Sequence, residues 1–380
     1  GGGGVEGEGG RAGPVDLAGK RVGVIGTGAS GIQIIADIAD EVGALTVFQR
    51  RPNWSVPLNN REISEAEMAD IRRRYDAIFA TCAKSNGGFD HLPDRRGYET
   101  VSVAERRALW DSLYDAPGFA LLLANFPETF LDARANRDLS DYVAERIRAR
   151  VHDPDVADRL IPKDHGFGMR RMPMETGYFE AYNRDNVELV SLLETPIERV
   201  TPTGVETSAA NYDFDVLVYA TGFDVMTGAF DKIDIKGVDG DRLKDKWIGS
   251  PTTYLGIMVH RFPNMLMVAG PQSVSGSTNY PRAIEVSVDW VTGLLTHARA
   301  TGVSRIEAQS AAETEWTKEV IEMQENMPFS KVKSWFTGYN SNIHARDAAP
   351  RYVAYWGGAP RYTKILNKVS SEGFADIQMD

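Results

Sequence analysis

Arg21 to Pro52 reads RVGVIGTGASGIQIIADIADEVGALTVFQRRP. An apolar run, Val22 to Ile25, opens the stretch. Gly26-Thr27-Gly28-Ala29-Ser30-Gly31 follows as a G-x-G-x-x-G. Ile32, Ile34, Ile35, Ile38 and Ala39 then recur at helical spacing, and a second β-like run, Leu45 to Phe48, closes the unit. Alone, a G-x-G-x-x-G carries little weight. Between a strand and a helix it is the dinucleotide-binding fingerprint of a Rossmann fold. Gly26 permits the tight turn, Gly28 lets a pyrophosphate approach the backbone, and Gly31 lets helix and strand pack closely. The helix N-terminus adds partial positive charge for the phosphates.

The end of the second strand selects the dinucleotide. An NAD site usually places an acidic residue there for the ribose 2′-hydroxyl. This chain has Gln49-Arg50-Arg51. No carboxylate in that run repels a 2′-phosphate, and two guanidiniums can hold one through charge-assisted bonds. The reading is NADP(H).

Outward from this unit, the 380 residues suffice for two or three domains. Hydrophobic content of 42% and charged content of 25% are those of a globular protein. A net charge of −11 argues against a nucleic-acid or anionic-membrane partner. The longest apolar run, around Ala120 to Phe126, is far too short to span a bilayer. One cysteine, Cys82, excludes an internal disulfide framework and suggests a reduced, cytoplasmic setting. Its helical surroundings, Tyr75, Ile78 and Phe79, suggest a packed thiol. The six histidines show no metal-ligand spacing, so no metal site is expected.

Residues 1–13 are glycine-rich and are expected to be disordered. From about Asn60 to Lys163 the pattern is nearly all helix. Ser64 to Glu67 and Ser102 to Glu105 are capping boxes, and Asp153-Pro154 is an N-cap followed by proline. Strands resume with Val187 to Val190, a short meander from Ile197 to Thr207, and a buried strand from Asp215 to Ala220. That last strand runs into Thr221-Gly222-Phe223-Asp224, at the carboxyl edge where ligands bind in open α/β sheets. Farther on, Asn264 to Pro271 reads as a strand. Pro281 to Thr296 reads as a helix with Ile284, Val288, Val291 and Leu295 inward, and Ser310 to Glu313 as the cap of another.

GTGASGIQ, FQRRPNWSVP, ATGFD at Ala220 to Asp224 and SWFTGYNSN at Ser334 to Asn342 together resemble the Baeyer–Villiger monooxygenases, from about Asp16 to the C-terminus. The tail GYNSN…RYVAYWGGAPRY is similar to the branch that accepts bulky cyclic and steroid-like ketones. The resemblance implies FAD and NADP(H) in two dinucleotide domains, and oxidation of a ketone by O2 to an ester or lactone. It assigns Gly26, Thr27, Gly28, Ala29, Ser30, Gly31 and Gln33 to the pyrophosphate and nicotinamide side of NADP. Arg50 matches the 2′-phosphate arginine. Arg51 departs from a small hydroxyl residue common in relatives, and would strengthen that binding if it points inward. In Gly168-Met169-Arg170-Arg171, Arg170 replaces a lysine that reaches the 2′-phosphate, and Arg171 matches the catalytic arginine. Trp335 matches a tryptophan that bonds the nicotinamide ribose, and Tyr280 a position along the flavin.

Chemistry supports Arg171 independently. Negative charge moves to the carbonyl oxygen as oxygen adds, and a permanent cation nearby stabilises it. Outside the resemblance, Arg170-Arg171 would read as a solvated cationic turn.

The expected fold class is α/β: a Rossmann-type NADP-binding domain (14–60 and 164–224) with a helical insertion (61–163), plus the C-terminal part of a second, FAD-type dinucleotide domain (225–380). The FAD-binding half with its own glycine turn should precede Asp16, and an acidic partner of the catalytic arginine with it. The glycine tract stands there instead. The chain is therefore expected to be truncated, or one part of a split enzyme with a separate N-terminal FAD-binding polypeptide. Two other readings remain: a catalytically incomplete NADP-binding remnant, and a flavin-free NADP-dependent oxidoreductase. Absence of a Tyr-x-x-x-Lys pair weighs against the second.

Overall fold

The computed structural model of the chain describes residues 15–340, 344 and 348–380. The glycine-rich segment expected to be disordered, and Ser341 and Asn342 of the SWFTGYNSN motif, lie outside the described residues. The chain forms two compact units. The first comprises Gly1–Leu58, Asp141–Asp164 and Met172–Gly222; the second comprises Asn59–Ser140, His165–Arg171 and Phe223–Asp380.

The first unit is built on a four-stranded parallel sheet. Its strands are β1 (Arg21–Ile25), β2 (Ala44–Gln49), β3 (Val187–Ser191) and β4 (Val216–Tyr219), in the order β3-β2-β1-β4. Val22 and Val24 of β1 and Val47 and Phe48 of β2 are fully buried, as the apolar runs require. Helix α1 (Ala29–Ile38) turns Ile32 and Ile35 into the same core. A three-stranded antiparallel meander, Ile197–Thr201, Gly204–Thr207 and Asn211–Asp213, sets Tyr212 edge-on to Phe48 with ring centroids 5.2 Å apart.

The strand expected to be buried is instead an edge. Among the described strands β4 pairs only with β1, and Tyr219 is 61% exposed. An apolar run reports side chains that pack on a sheet face; it says nothing of how many neighbours the backbone has. An ion pair fastens this edge: Arg21 donates from its backbone N–H to Asp215 at 2.8 Å and from its guanidinium at 3.0 Å. The guanidinium holds the Asp215 carboxyl down at about 2.

In the second unit, helices Tyr280–Thr301, Ser310–Glu325 and Ala359–Ser371 enclose a core of Trp290, Trp316, Tyr355, Tyr362 and Leu366. Trp316 stacks on Tyr355 at 5.0 Å. The first of these helices buries Ala283, Ser287, Trp290, Leu294 and Ala298, not the stripe expected from Ile284 to Leu295; Val288 and Leu295 are exposed. Both stripes have helical period. The one carrying Trp290 wins because the indole buries more apolar area and donates to Leu366 O at 3.1 Å. The next helix is capped by Gln309 rather than Ser310, and Glu313 turns inward to Lys246 at 2.9 Å.

Asn264 to Pro271 forms no strand. It meets the short strand Ile306–Ala308 only at its first residue, Asn264 N donating to Ile306 O at 2.9 Å, while Met267 N turns to Ile257 O at 2.8 Å, so no ladder forms. Asn264 and Ala269 sit at positive φ. The helical segment behaves locally as read. Ser102 and Glu105 form a full capping box, and Asp153 caps Pro154–Leu160. Ser64 caps its helix by half a box, because Glu67 pairs with Arg61. The Cys82 thiol is half-buried, and desolvation raises its pKa.

The first unit holds one deeply buried ion pair. The Glu175 carboxylate, wholly shielded from solvent, meets Arg150 at 2.7 Å and accepts the Tyr178 N–H at 2.9 Å. Arg150 also pairs with Glu180 at 2.6 Å, so loss of the Glu175 charge leaves the guanidinium paired but weakens the bonds made at the buried carboxylate. Glu175→Gln is expected to lower stability by about 2 kcal/mol in chemical denaturation. The exposed Glu188→Gln serves as the neutral control, and equal midpoints for the two variants would refute this role.

Candidate functional site

The sheet's carboxyl edge positions the glycine turn. Gly26 leaves β1 at φ +109°, donating to Phe48 O at 2.9 Å; a Cβ there would sit 2.5 Å from Ala220 O. At Gly31 a Cβ would lie 2.1 Å from Gly26 O. These two glycines are thus demanded by the protein's own packing. Gly28 is different. It caps α1, and no protein atom lies within 4 Å of where its Cβ would stand. Ala29, Ser30 and Gln33 are exposed on the first turn, which carries no acidic residue. The open space at Gly28, facing bare helical amides, fits a pyrophosphate.

Thr27 links this turn to the arginines. Its side chain is buried, and its hydroxyl donates to Arg51 O at 3.1 Å. Gln49, also buried, donates to Arg159 O at 2.8 Å. Arg50 and Arg51 follow at the surface. The Arg51 guanidinium lies 3.5 Å from Asp164, a residue that sequence reasoning did not single out. Nothing in the linear pattern marks Asp164, since its significance comes from a fold that returns it to the end of β2.

Arg170 and Arg171 belong to the second unit, on a loop held from below. Asn136 donates to Phe167 O at 2.8 Å, and Ser140 accepts the Phe167 N–H at 2.9 Å. Met169 is buried with Phe329 and Phe336, and Trp335 packs on the same cluster, edge-on to Phe336 at 4.7 Å. The structure therefore brings Trp335 and the Arg170-Arg171 loop to one aromatic cluster. Arg171 stands over the Phe119 ring at 5.5 Å. Its side chain reaches solvent, yet surrounding protein desolvates the guanidinium and lowers its pKa. An arginine lowered in this way still carries its charge near neutrality. Tyr280 opens its helix and is 52% exposed. Among the described residues, no group of three or more His, Cys, Asp or Glu is placed to hold a metal.

No family model matches the chain. It is 40% identical over 365 residues to the 2-oxo-Δ3-4,5,5-trimethylcyclopentenylacetyl-CoA monooxygenase of Pseudomonas putida, covering 96% of this chain and 67% of that one. The chain belongs to the Baeyer–Villiger monooxygenases. It is also 35% identical to the cyclopentanone 1,2-monooxygenase of Comamonas sp. strain NCIMB 9872, over 96% of this chain and 66% of that relative. A solved structure of OTEMO complexed with FAD and NADP superposes with a TM-score of 0.92 at 40% identity, over 97% of this chain and 68% of the other. The chain spans about two thirds of the length of these relatives. In each of them the matching region is part of one longer chain, so the expected separate FAD-binding polypeptide finds no support there. No described helix is long and apolar enough to cross a membrane.

The two kinds of glycine separate binding from folding. Gly28→Ala is expected to weaken NADP+ binding about 10-fold or more while leaving the denaturation midpoint unchanged. Gly31→Ala is expected to lower that midpoint outright, because its methyl meets backbone. Titration and denaturation of both variants check this; equal effects on both properties would contradict it.

Proposed function

We propose that this monooxygenase chain binds NADP(H) through its first unit and serves the FAD-dependent insertion of one oxygen atom of O2 beside a ketone carbonyl, giving an ester or lactone. The observation that carries the reading is the Thr27–Arg51 bond, which supports a shared role for the glycine turn and the arginine pair. Cyclic ketones are the proposed substrate class, as the names of the two relatives suggest. The bulky, steroid-like branch is supported by the likeness to a steroid monooxygenase structure bound to NADP, with a TM-score of 0.89 at 38% identity. The single, half-buried thiol supports a reduced, cytoplasmic setting.

In this proposal the first unit is the NADP-binding domain, differing from the expected 14–60 and 164–224 chiefly by gaining 141–163 and lacking 165–171, and 225–380 contribute to a FAD-binding domain. Gly26 to Gly31 would hold the pyrophosphate on backbone N–H groups, and Gln33 lies one turn farther along the exposed face of α1. Arg50 would hold the 2′-phosphate within the first unit; for Arg170, in the second unit, the 2′-phosphate role rests on the resemblance alone. Trp335 would bond the nicotinamide ribose. NADPH supplies hydride when bound. For FAD the fit is partial. Among the described residues only one G-x-G-x-x-G is present, and the proposed flavin contact, Tyr280, is a single exposed ring.

Arg171 is the proposed catalytic residue. Its guanidinium would face the substrate carbonyl oxygen and stabilise the charge that develops there as the new C–O bond forms. Packing of protein around the guanidinium strengthens this effect by reducing, though not removing, the screening by water. Phe119 beneath it fixes the plane of the guanidinium by cation–π contact.

Two variants test the reading. With FAD, NADPH and cyclopentanone supplied, the chain should yield the lactone by gas chromatography, and Arg171→Ala should reduce that yield about 100-fold or more while NADP+ still binds. Arg50→Ala should weaken NADP+ binding about 10- to 100-fold and leave NAD+ binding alone. Reduction of the ketone to an alcohol, or lactone formation undiminished in Arg171→Ala, would sink the proposal.

A further inference from the structure

The pair Arg51–Asp164 bears on how strongly the site distinguishes its two nucleotides; the inference rests on the NADP(H) reading above. Arg51 is fixed to the phosphate turn at its backbone, through Thr27 Oγ1 at 3.1 Å. Asp164 is brought to the same place by the segment that follows helix Pro154–Leu160. Gln49, immediately before the arginines, anchors that helix by donating to Arg159 O at 2.8 Å. Both ends of the pair are thus tied to the end of β2 through buried side chains. The ionic contact itself is loose. Arg51 Nη1 and Asp164 Oδ2 are 3.5 Å apart, and the side chains are 54% and 39% exposed. A strong charge-assisted bond is shorter, about 2.7–2.9 Å. The guanidinium can therefore turn from the carboxylate to another anion without first breaking a tight bond.

We infer that Asp164 is a positioning residue that weakens binding of the nucleotide's 2′-phosphate by competing with it for Arg51. A phosphate approaching Arg51 meets a cation already part-neutralised by Asp164. This opposes a 2′-phosphate dianion. It does not touch a 2′-hydroxyl, which carries no charge. A carboxylate near the ribose is the feature that ordinarily favours NAD, supplied at the end of the second strand. Here that strand ends in arginines, and the carboxylate arrives from a distant part of the chain. Asp164 holds the preference for NADP(H) below what Arg50 and Arg51 alone would give.

The test is a titration of the full chain with NADP+ and with NAD+, followed by tryptophan fluorescence at low ionic strength. Asp164→Asn should tighten NADP+ binding about 2- to 5-fold, as expected for one partly exposed charge, and leave NAD+ binding unchanged. The gain should shrink in high salt. It should vanish in Arg51→Ser/Asp164→Asn relative to Arg51→Ser. Equal shifts for both nucleotides would assign Asp164 a merely structural role and overturn the inference. So would no shift, or a gain that survives without Arg51. Arg50→Ala in the same titration separates the two levels of argument. If it weakens NADP+ binding while Asp164→Asn changes nothing, the inference alone fails. If the parent chain binds NADP+ no better than Arg50→Ala does, the NADP(H) reading fails and the inference with it.

Discussion

The approach of Gly31 to the Gly26 carbonyl, too close for any side chain, is the constraint on which the first unit depends. It seats the first turn of α1 directly on the exit of β1. That seating points the free amides of the helix at the sheet's carboxyl edge, and leaves Gly28 facing open space. It also carries Thr27 into the interior, where its hydroxyl reaches the Arg51 carbonyl. One backbone contact thus organises the anion site, its spacing from the arginines, and the packing of the helix that backs them.

Electrostatics then divides the work. In the first unit, the surface pair Arg51–Asp164 is loose and remains able to exchange partners, whereas the surface pair Arg21–Asp215 is tight and fastens an edge. Charge in the interior, as at Arg150 and Glu175, is held by short bonds and serves stability. In the second unit, Arg171 lies over an aromatic ring, part-desolvated by surrounding protein while its side chain still reaches solvent. Such a cation costs the fold something to keep and acts strongly on whatever anion forms beside it.

Much of this was legible in the sequence, and what was not has identifiable causes. The strand–turn–helix–strand unit could be read because each glycine has a local steric reason. The capping box at Ser102 and the cap at Asp153 were equally local. The candidate site residues were named through motif resemblance, and their distribution over two units was not evident from order alone. Errors arose where a pattern permits two outcomes. The helix beginning at Tyr280 carries two apolar stripes, and only tertiary packing around Trp290 selects between them. Asn264 to Pro271 is apolar enough for a strand but meets the short strand Ile306–Ala308 only at its first residue. Val216 to Tyr219 reads as buried because its side chains are apolar, whereas exposure of an edge is decided by neighbours. Asp164 carries no local mark at all.

The fastening of that edge has a temporal side. The Arg21–Asp215 contact joins positions 194 residues apart. During synthesis at about 5–20 residues per second, β1 and β2 emerge roughly 10 to 40 s before β4 can reach them. Through that interval the backbone of β1 offers an unfilled row of hydrogen-bonding groups along one side. Closing so large a loop is entropically slow as well. The nascent chain therefore passes through a stage in which half of its central sheet is formed and one side of β1 is open to foreign strands.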